Sequence, residues 1–395
     1  MKLLIAGVGL VAACVCAPSS AFVAPQRQAG TPSLSPSTAA VGDVTKLPAV
    51  EAQQLSVVRE AGGAELMSTR GGAKAAPPPP ASSMAHTAKV GFYFFLWYAF
   101  NVVYNLSNKL VLNHLPLPWT TSVAQLGIGL LFVFPVWLSG IRKAPKISCD
   151  DAKAIAPIAL MHTTGHIMTV VSLGAGAVSF THIVKAAEPF FSTIMSAIFL
   201  KSVFRWQVYA TLLPIVAGVS LASMTELSFS WLSFLPAMGS NTAFSLRAIF
   251  SKKAMTTPRG ENMNAPNLYS VITIMSFIGA LPLAALVEGP KVMGVLEKGI
   301  ESMGGPKKFW FQFMTAGLSY YLYNEVAFLA LNSVHPITHA VGNTIKRVVI
   351  VLASVAYFRT PMRPLAILGS TIAILGTLLY SLAKNYFPNK EEKKN

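Results

Sequence analysis

Acidic residues are scarce in this chain: 15 Asp and Glu stand against 31 Lys and Arg in 395 residues, a net charge of +16. Charge of either sign is thin, at 12% of residues. A soluble domain carries about twice that share, so an ordinary water-facing surface is excluded. The basic excess is scattered singly through apolar segments, with no Lys/Arg block interleaved with aromatics, and does not describe a nucleic-acid surface. Three cysteines, two of them within the first sixteen residues, are too few for a disulfide framework or a cysteine metal cluster. His162 and His166 stand four apart, yet HTTGH lacks the glutamate of a metalloprotease helix and has no third ligand nearby, so no metal is expected. GAGAVS (174–179) lacks the strand and helix context of a phosphate loop and reads as a turn or a close-packing point; no cofactor is expected.

What is abundant is hydrophobicity, at 53% of residues with a mean hydropathy of +0.53. From Lys89 onward the chain reads as ten apolar segments joined by short polar loops: 90–112, 118–140, 152–174, 181–201, 206–224, 229–251, 268–288, 309–331, 335–358 and 364–386. Most approach the ~20 residues that a helix needs to cross the hydrocarbon, and they are too long and uniformly apolar for barrel strands. The expected fold is therefore an all-α membrane protein of ten transmembrane helices. Asp150 and Asp151 read as first-turn acids of the third span. Lys109 and Arg247 lie near helix ends, where a long side chain reaches the interface. Residues 1–21 form a signal-peptide pattern, and 22–88, rich in Ala, Ser, Gly and Pro, cannot bury a core. The tail 387–395 is charged.

The helical region repeats itself. FTHIVKAAEPFFSTIMSAIFL (180–200) runs in register with ITHAVGNTIKRVVIVLASVAY (337–357), bringing Thr181–His182 onto Thr338–His339 at an offset of 157. Gly218 and Gly376, in the following spans, keep that offset within one residue. With five spans per copy, an odd number, the second copy enters the membrane inverted. That predicts two inverted five-helix repeats, 89–224 and 229–386, with a site between them at the midplane.

Cations inside such spans need a reason, because each costs about 2.5–3.5 kcal/mol on insertion scales. Lys185 falls at the repeat equivalent of Gly342, one helical turn from Lys346 and Arg347. The repeat axis brings Lys185 toward Lys346 and Arg347, and by the same offset pairs His166 with Tyr323. Glu188, three residues after Lys185, offers it a local ion pair as the purely structural alternative. No acid lies near Lys346 and Arg347 in the sequence, so that alternative fails for them. Arg supplies a planar fork and Lys a compact charge, a set suited to a dianion such as phosphate. The acids within the spans are essentially Glu188 and Glu325, too few for the acid-rich metal sites of membrane-embedded lipid enzymes, so the chain reads as a carrier and not an enzyme.

These stretches occur together elsewhere. SFTHIVKAAEPFF, MTELSF, SLRAIFSKKAM, YYLYNEVA and ITHAVGNTIKR resemble the plastid triose-phosphate/phosphate translocators, of the plastidic phosphate translocator family in the drug/metabolite transporter superfamily, over Gly91 to Lys384. The resemblance implies a strict antiporter exchanging inorganic phosphate for dihydroxyacetone phosphate or 3-phosphoglycerate across a plastid envelope. It places the phosphate on Lys185, Lys346 and Arg347, the other end of the substrate on His166, Thr169 and Tyr323, and a pocket-narrowing ring at Phe244. The KAAEPFFSTIMSAIFL stretch is equally similar to a phosphoenolpyruvate branch of that family. A nucleotide-sugar carrier of the same superfamily is the more distant alternative. SSAFVAP, after the signal pattern, resembles the two-part address of algae with plastids of red-algal origin.

Overall fold

The computed structural model describes residues 84–254, 260–331, 333–334 and 336–387. The signal and presequence expected over 1–88 fall almost wholly outside the described residues, as does the tail beyond Phe387. Regular structure among the described residues is helical throughout: α1 (Met84–His114), α2 (Pro118–Leu138), α3 (Cys149–Ala175), α4 (Val178–Lys185), α5 (Glu188–Leu200), α6 (Trp206–Ala210), α7 (Leu212–Thr225), α8 (Trp231–Ala254), α9 (Ala265–Val287), α10 (Gly289–Ser302), α11 (Pro306–Leu331), α12 (Pro336–Phe358) and α13 (Pro364–Tyr386). Helix α1 starts five residues before the expected boundary at 89.

Seven helices, counting α4–α5 and α6–α7 as single spans, are long and apolar enough to cross a membrane. Helices α1, α8 and α11 are comparably long but fall outside that set. Their lower hydropathy has a local cause: they carry polar side chains such as Asn101, Asn105, Asn241, Arg247 and Asn324, which turn inward.

The contacts define two faces. At the terminal face, Arg142 pairs with Glu325, and the backbones of Lys146 and Glu261 bridge antiparallel. The Lys146 and Glu261 side chains also meet at 2.7 Å, and that hydrogen bond raises the lysine pKa and lowers the carboxylate's. At the opposite face, the Glu288 carboxylate accepts from the backbone N–H groups of Trp119 (3.2 Å) and Thr120 (2.7 Å), satisfying donors at the start of α2 that Leu117 leaves uncapped. Helix α3 begins with the expected acids, Ser148 and Asp151 forming a reciprocal capping box.

The span read over 181–201 is present at Val178–Leu200, with its helix interrupted at Ala186–Ala187. Pro189 has no N–H to give the carbonyl of Lys185, and its ring crowds that carbonyl, so the chain takes a tighter turn between α4 and α5. Asn241 Nδ2 donates to the Val184 carbonyl (3.1 Å) and Thr377 Oγ1 to that of Ala186 (3.2 Å), which makes the break tolerable inside the protein. The stretch 289–308, read as a loop, holds α10, whose Val292, Val295, Leu296 and Ile300 recur at helical spacing and pack on Val111, Leu115 and Phe309.

The most extensive helix pairings are α3 with α8, α1 with α11, and α7 with α13. Helices α7 and α13 meet backbone to backbone: a Cβ added at Gly218 would lie 2.6 Å from the Gly369 carbonyl, and one at Gly369 would lie 2.6 Å from the Ala222 nitrogen. Lys109, expected to reach the interface, instead donates to the carbonyls of Leu173 (2.9 Å), Gly176 (2.9 Å) and Gly174 (3.3 Å) at the end of α3.

Candidate functional site

A cavity of about 350 Å³ lies between the helices, and all seven residues expected at the site line it: Lys185, Lys346, Arg347, His166, Thr169, Phe244 and Tyr323. Helical spacing explains how. On α3, His162, His166 and Thr169 fall at i, i+4 and i+7; on α12, His339, Asn343, Lys346 and Arg347 fall at i, i+4, i+7 and i+8. Helix α1 contributes Trp97, Asn101, Tyr104 and Asn105. On α8, α9, α11 and α12 the lining residues occupy mid-depth or the half nearer the terminal face, whereas Thr169 of α3 and His182 and Lys185 of α4 lie in the half nearer the opposite one. Toward the opposite face, Leu112, Val170, Leu173, Val178 and Ile350 pack into a closed cluster.

The cations are held by neutral or aromatic groups. Lys185 Nζ donates to Ser240 Oγ (2.9 Å) and Thr169 Oγ1 (3.2 Å) and lies 4.6 Å from the centre of the Phe244 ring. Lys346 Nζ lies 4.7 Å from the Trp97 ring. Such contacts orient a cation without cancelling its charge. Arg347 differs: its Nη2 donates to Glu188 Oε2 at 2.7 Å. This corrects the expectation that no acid attends Lys346 and Arg347, and it takes from Lys185 the local partner that the sequence offered. The two residues are 159 apart in the chain and meet only because α5 begins where α12 passes.

Arg247 is a second correction. It stands in the cavity wall rather than at the interface, donating to His162 Nδ1 (2.9 Å) with its guanidinium 5.0 Å from the Phe244 ring. The acceptor role fixes the tautomer of His162, whose Nε2 then faces Tyr320 Oη at 3.2 Å. Tyr320 in turn stacks on His166 with ring centres 4.0 Å apart. Both ring nitrogens of His162 thus have partners within the protein, and no group of three metal-ligating side chains occurs among the described residues.

The lining therefore carries four cations and one carboxylate. Several buried polar atoms there have no hydrogen-bond partner within the protein, among them Arg347 Nε, Trp97 Nε1, His166 Nε2, Tyr104 Oη and Tyr269 Oη. Most are donors or hydroxyls. Together with the charge excess they describe a chamber complementary to a small, oxygen-rich anion.

Sequence reasoning missed Asn101, Asn105, His182, Arg247 and Trp97. Asn105 Oδ1 faces His182 Nε2 at 2.8 Å. A signal was present for the first two: Asn101, Asn105 and Asn108 recur at i, i+4 and i+7, an amide stripe on an otherwise apolar helix.

The profile of the Triose-phosphate Transporter family matches residues 88–381, three quarters of the chain. The chain belongs to this family. Its members are transporters, not enzymes. Among similar proteins, glucose-6-phosphate/phosphate translocator 2, chloroplastic, of Arabidopsis thaliana is 42% identical over 300 residues, covering 76% of each chain. Phosphoenolpyruvate/phosphate translocator 1, chloroplastic, of Oryza sativa subsp. japonica is 42% identical over 306 residues, covering 77% of this chain and 74% of that one. Triose phosphate/phosphate translocator, chloroplastic, of Pisum sativum is 40% identical over 304 residues, with the same coverage. The family member described here is thus about equally similar to carriers named for different phosphorylated partners.

Proposed function

We propose that this transporter exchanges inorganic phosphate for a phosphorylated three-carbon compound, dihydroxyacetone phosphate or 3-phosphoglycerate, across a plastid envelope membrane by alternating access. The observation that carries the reading is the meeting of Lys185 with Lys346 and Arg347, from distant parts of the chain, in one cavity with a single carboxylate. The phosphate sits among these three, while His166, Thr169 and Tyr323 address the rest of the substrate. Phe244, against Gly165 and beneath Lys185, keeps the chamber small. The "chloroplastic" relatives support the plastid envelope; a complex plastid of red-algal origin rests on the leader pattern alone.

The carrier on this reading has ten spans in two inverted repeats, with α1, α8 and α11 joining the seven apolar ones. The helix pairings support it. Exchanging each span of the first half for its counterpart turns α3–α8 into α11–α1 and α7–α13 into itself, so the strongest packings map onto one another.

The cycle follows from charge. Without substrate, the cations repel one another and only Glu188 offsets them. Closing both ends around that excess is unfavourable; a bound dianion removes the penalty and lets the halves rock. The carrier crosses loaded, hence it exchanges. In liposomes, Lys346→Ala or Arg347→Ala should reduce phosphate exchange by about a hundredfold, as expected for losing charge-assisted bonds to the substrate. Near-normal exchange by either variant would end this reading.

A second reading is favoured by Arg247. A fourth cation in the same chamber suits a substrate with an acid group besides its phosphate, such as phosphoenolpyruvate, and competition among unlabelled esters in the same liposomes separates it from the first.

A further inference from the structure

Beyond the cavity, toward the opposite face, the chain closes with polar bonds as well as apolar packing. Lys109 of α1 reaches across to α3 and donates to three main-chain carbonyls, those of Leu173, Gly174 and Gly176, at 2.9, 3.3 and 2.9 Å. Leu173 and Gly174 belong to the last turn of α3, whose acceptors have no partner within the helix, and Gly176 caps its end, so the ammonium also meets the negative end of the helix dipole. Just beside it, Ser172 Oγ bonds Thr181 Oγ1 of α4 (2.9 Å), and Ser233 Oγ of α8 donates to the Ser172 carbonyl (3.1 Å). Gly176 permits the approach: a Cβ there would sit 2.8 Å from Ser233 Cβ. The ends of α1, α3, α4 and α8 are thus tied at one point, and beneath it Leu112, Leu173, Val178 and Ile350 pack as a buried apolar cluster.

We propose that Lys109 is the clasp that holds the opposite face shut, and that opening the chamber on that side requires its ammonium to leave the end of α3. The inference rests on the alternating-access reading above. It assigns to Lys109 a gating role separate from substrate binding, since Lys109 does not line the chamber.

The test uses two cysteine reporters in the full chain in detergent, where both faces meet a polar maleimide, with labelling read by peptide mass at each site. Val178→Cys lies in the closed cluster, and Ser251→Cys lies at the terminal-face end of the chamber. Lys109→Gln should speed labelling at Val178→Cys by about tenfold, the effect of losing one net charge-assisted hydrogen bond, and slow it at Ser251→Cys. Lys109→Arg, which keeps charge and donors, should stay within a few-fold of the parent. An unchanged ratio of the two rates overturns the proposal, and so does a parallel rise at both sites, which marks general loosening. A readout with Lys109 in place guards against a variant that does not fold: adding phosphate should expose Val178→Cys, and constant protection while the same protein exchanges phosphate in liposomes also overturns the clasp. Absence of counter-exchange by the parent protein sinks the carrier reading instead.

Discussion

Glu188 is the residue whose role is least obvious from its type. An acid in a chamber proposed to take an anion opposes that ligand, yet it bonds Arg347 at 2.7 Å. The arrangement makes sense as a resident competitor: it holds the guanidinium in place between passengers and must be displaced, at least partly, when phosphate arrives. Glu188→Gln should therefore lower the KM for phosphate by about tenfold, while turnover falls because release slows, both read from initial exchange rates in liposomes. A KM that rises would mean that Glu188 positions Arg347 and does not compete. Phe244 makes a different kind of prediction. Its ring contacts Lys185 and Arg247 and fills the space beside Gly165. Phe244→Ala should weaken phosphate binding only a few-fold, the scale of a cation–π contact, while letting glucose 6-phosphate compete at least about tenfold better. Equal discrimination by the variant and the parent would remove the ring from the specificity account.

At the scale of elements, the break between α4 and α5 matters most, because Lys185 ends one piece and Glu188 begins the next. Pro189→Ala allows the helix to run on, re-bonding the Lys185 carbonyl and swinging its side chain relative to Glu188. Exchange should drop by about tenfold or more with little change in thermal stability, since Pro189 stands in the first turn of α5, where its missing N–H costs no bond within that helix. A loss of stability in step with activity would show that the break is needed for the fold itself. This element also marks the limit of what the sequence discloses. The cations were legible because charge inside apolar spans is expensive and must be explained, and the proposed repeat rests on Thr–His recurring in register. The Arg347–Glu188 pair was not, since nothing local links residues 159 apart. The kink was hidden because apolar periodicity continues through Ala186 and Ala187, and only Pro189 hinted at it. Helix α10 was readable from the spacing of Val292, Val295, Leu296 and Ile300, but its short length and flanking glycines gave it the look of a loop.

For the whole molecule, the excess of cations over carboxylates in one buried chamber predicts how the carrier behaves unloaded. Liposomes filled with phosphate should take up labelled phosphate about a hundredfold faster than empty ones, a bias of ~3 kcal/mol between loaded and empty crossing. Equal rates would describe a uniporter or a channel. Whatever rocks in that cycle, α7 and α13 stay together, because their backbones touch at Gly218 and Gly369 and leave no room to slide. A bulky residue there, as in Gly218→Leu, should lower stability by about 3 kcal/mol or more, seen as a drop in the thermal midpoint. The seal at the opposite face has a further property. Lys109 grips peptide carbonyls, which every amino acid possesses, so drift at positions 173 and 174 cannot erase the receiving half of that bond. One half of the latch is written into the polymer itself, and only the lysine and the glycine at 176 remain exposed to mutation.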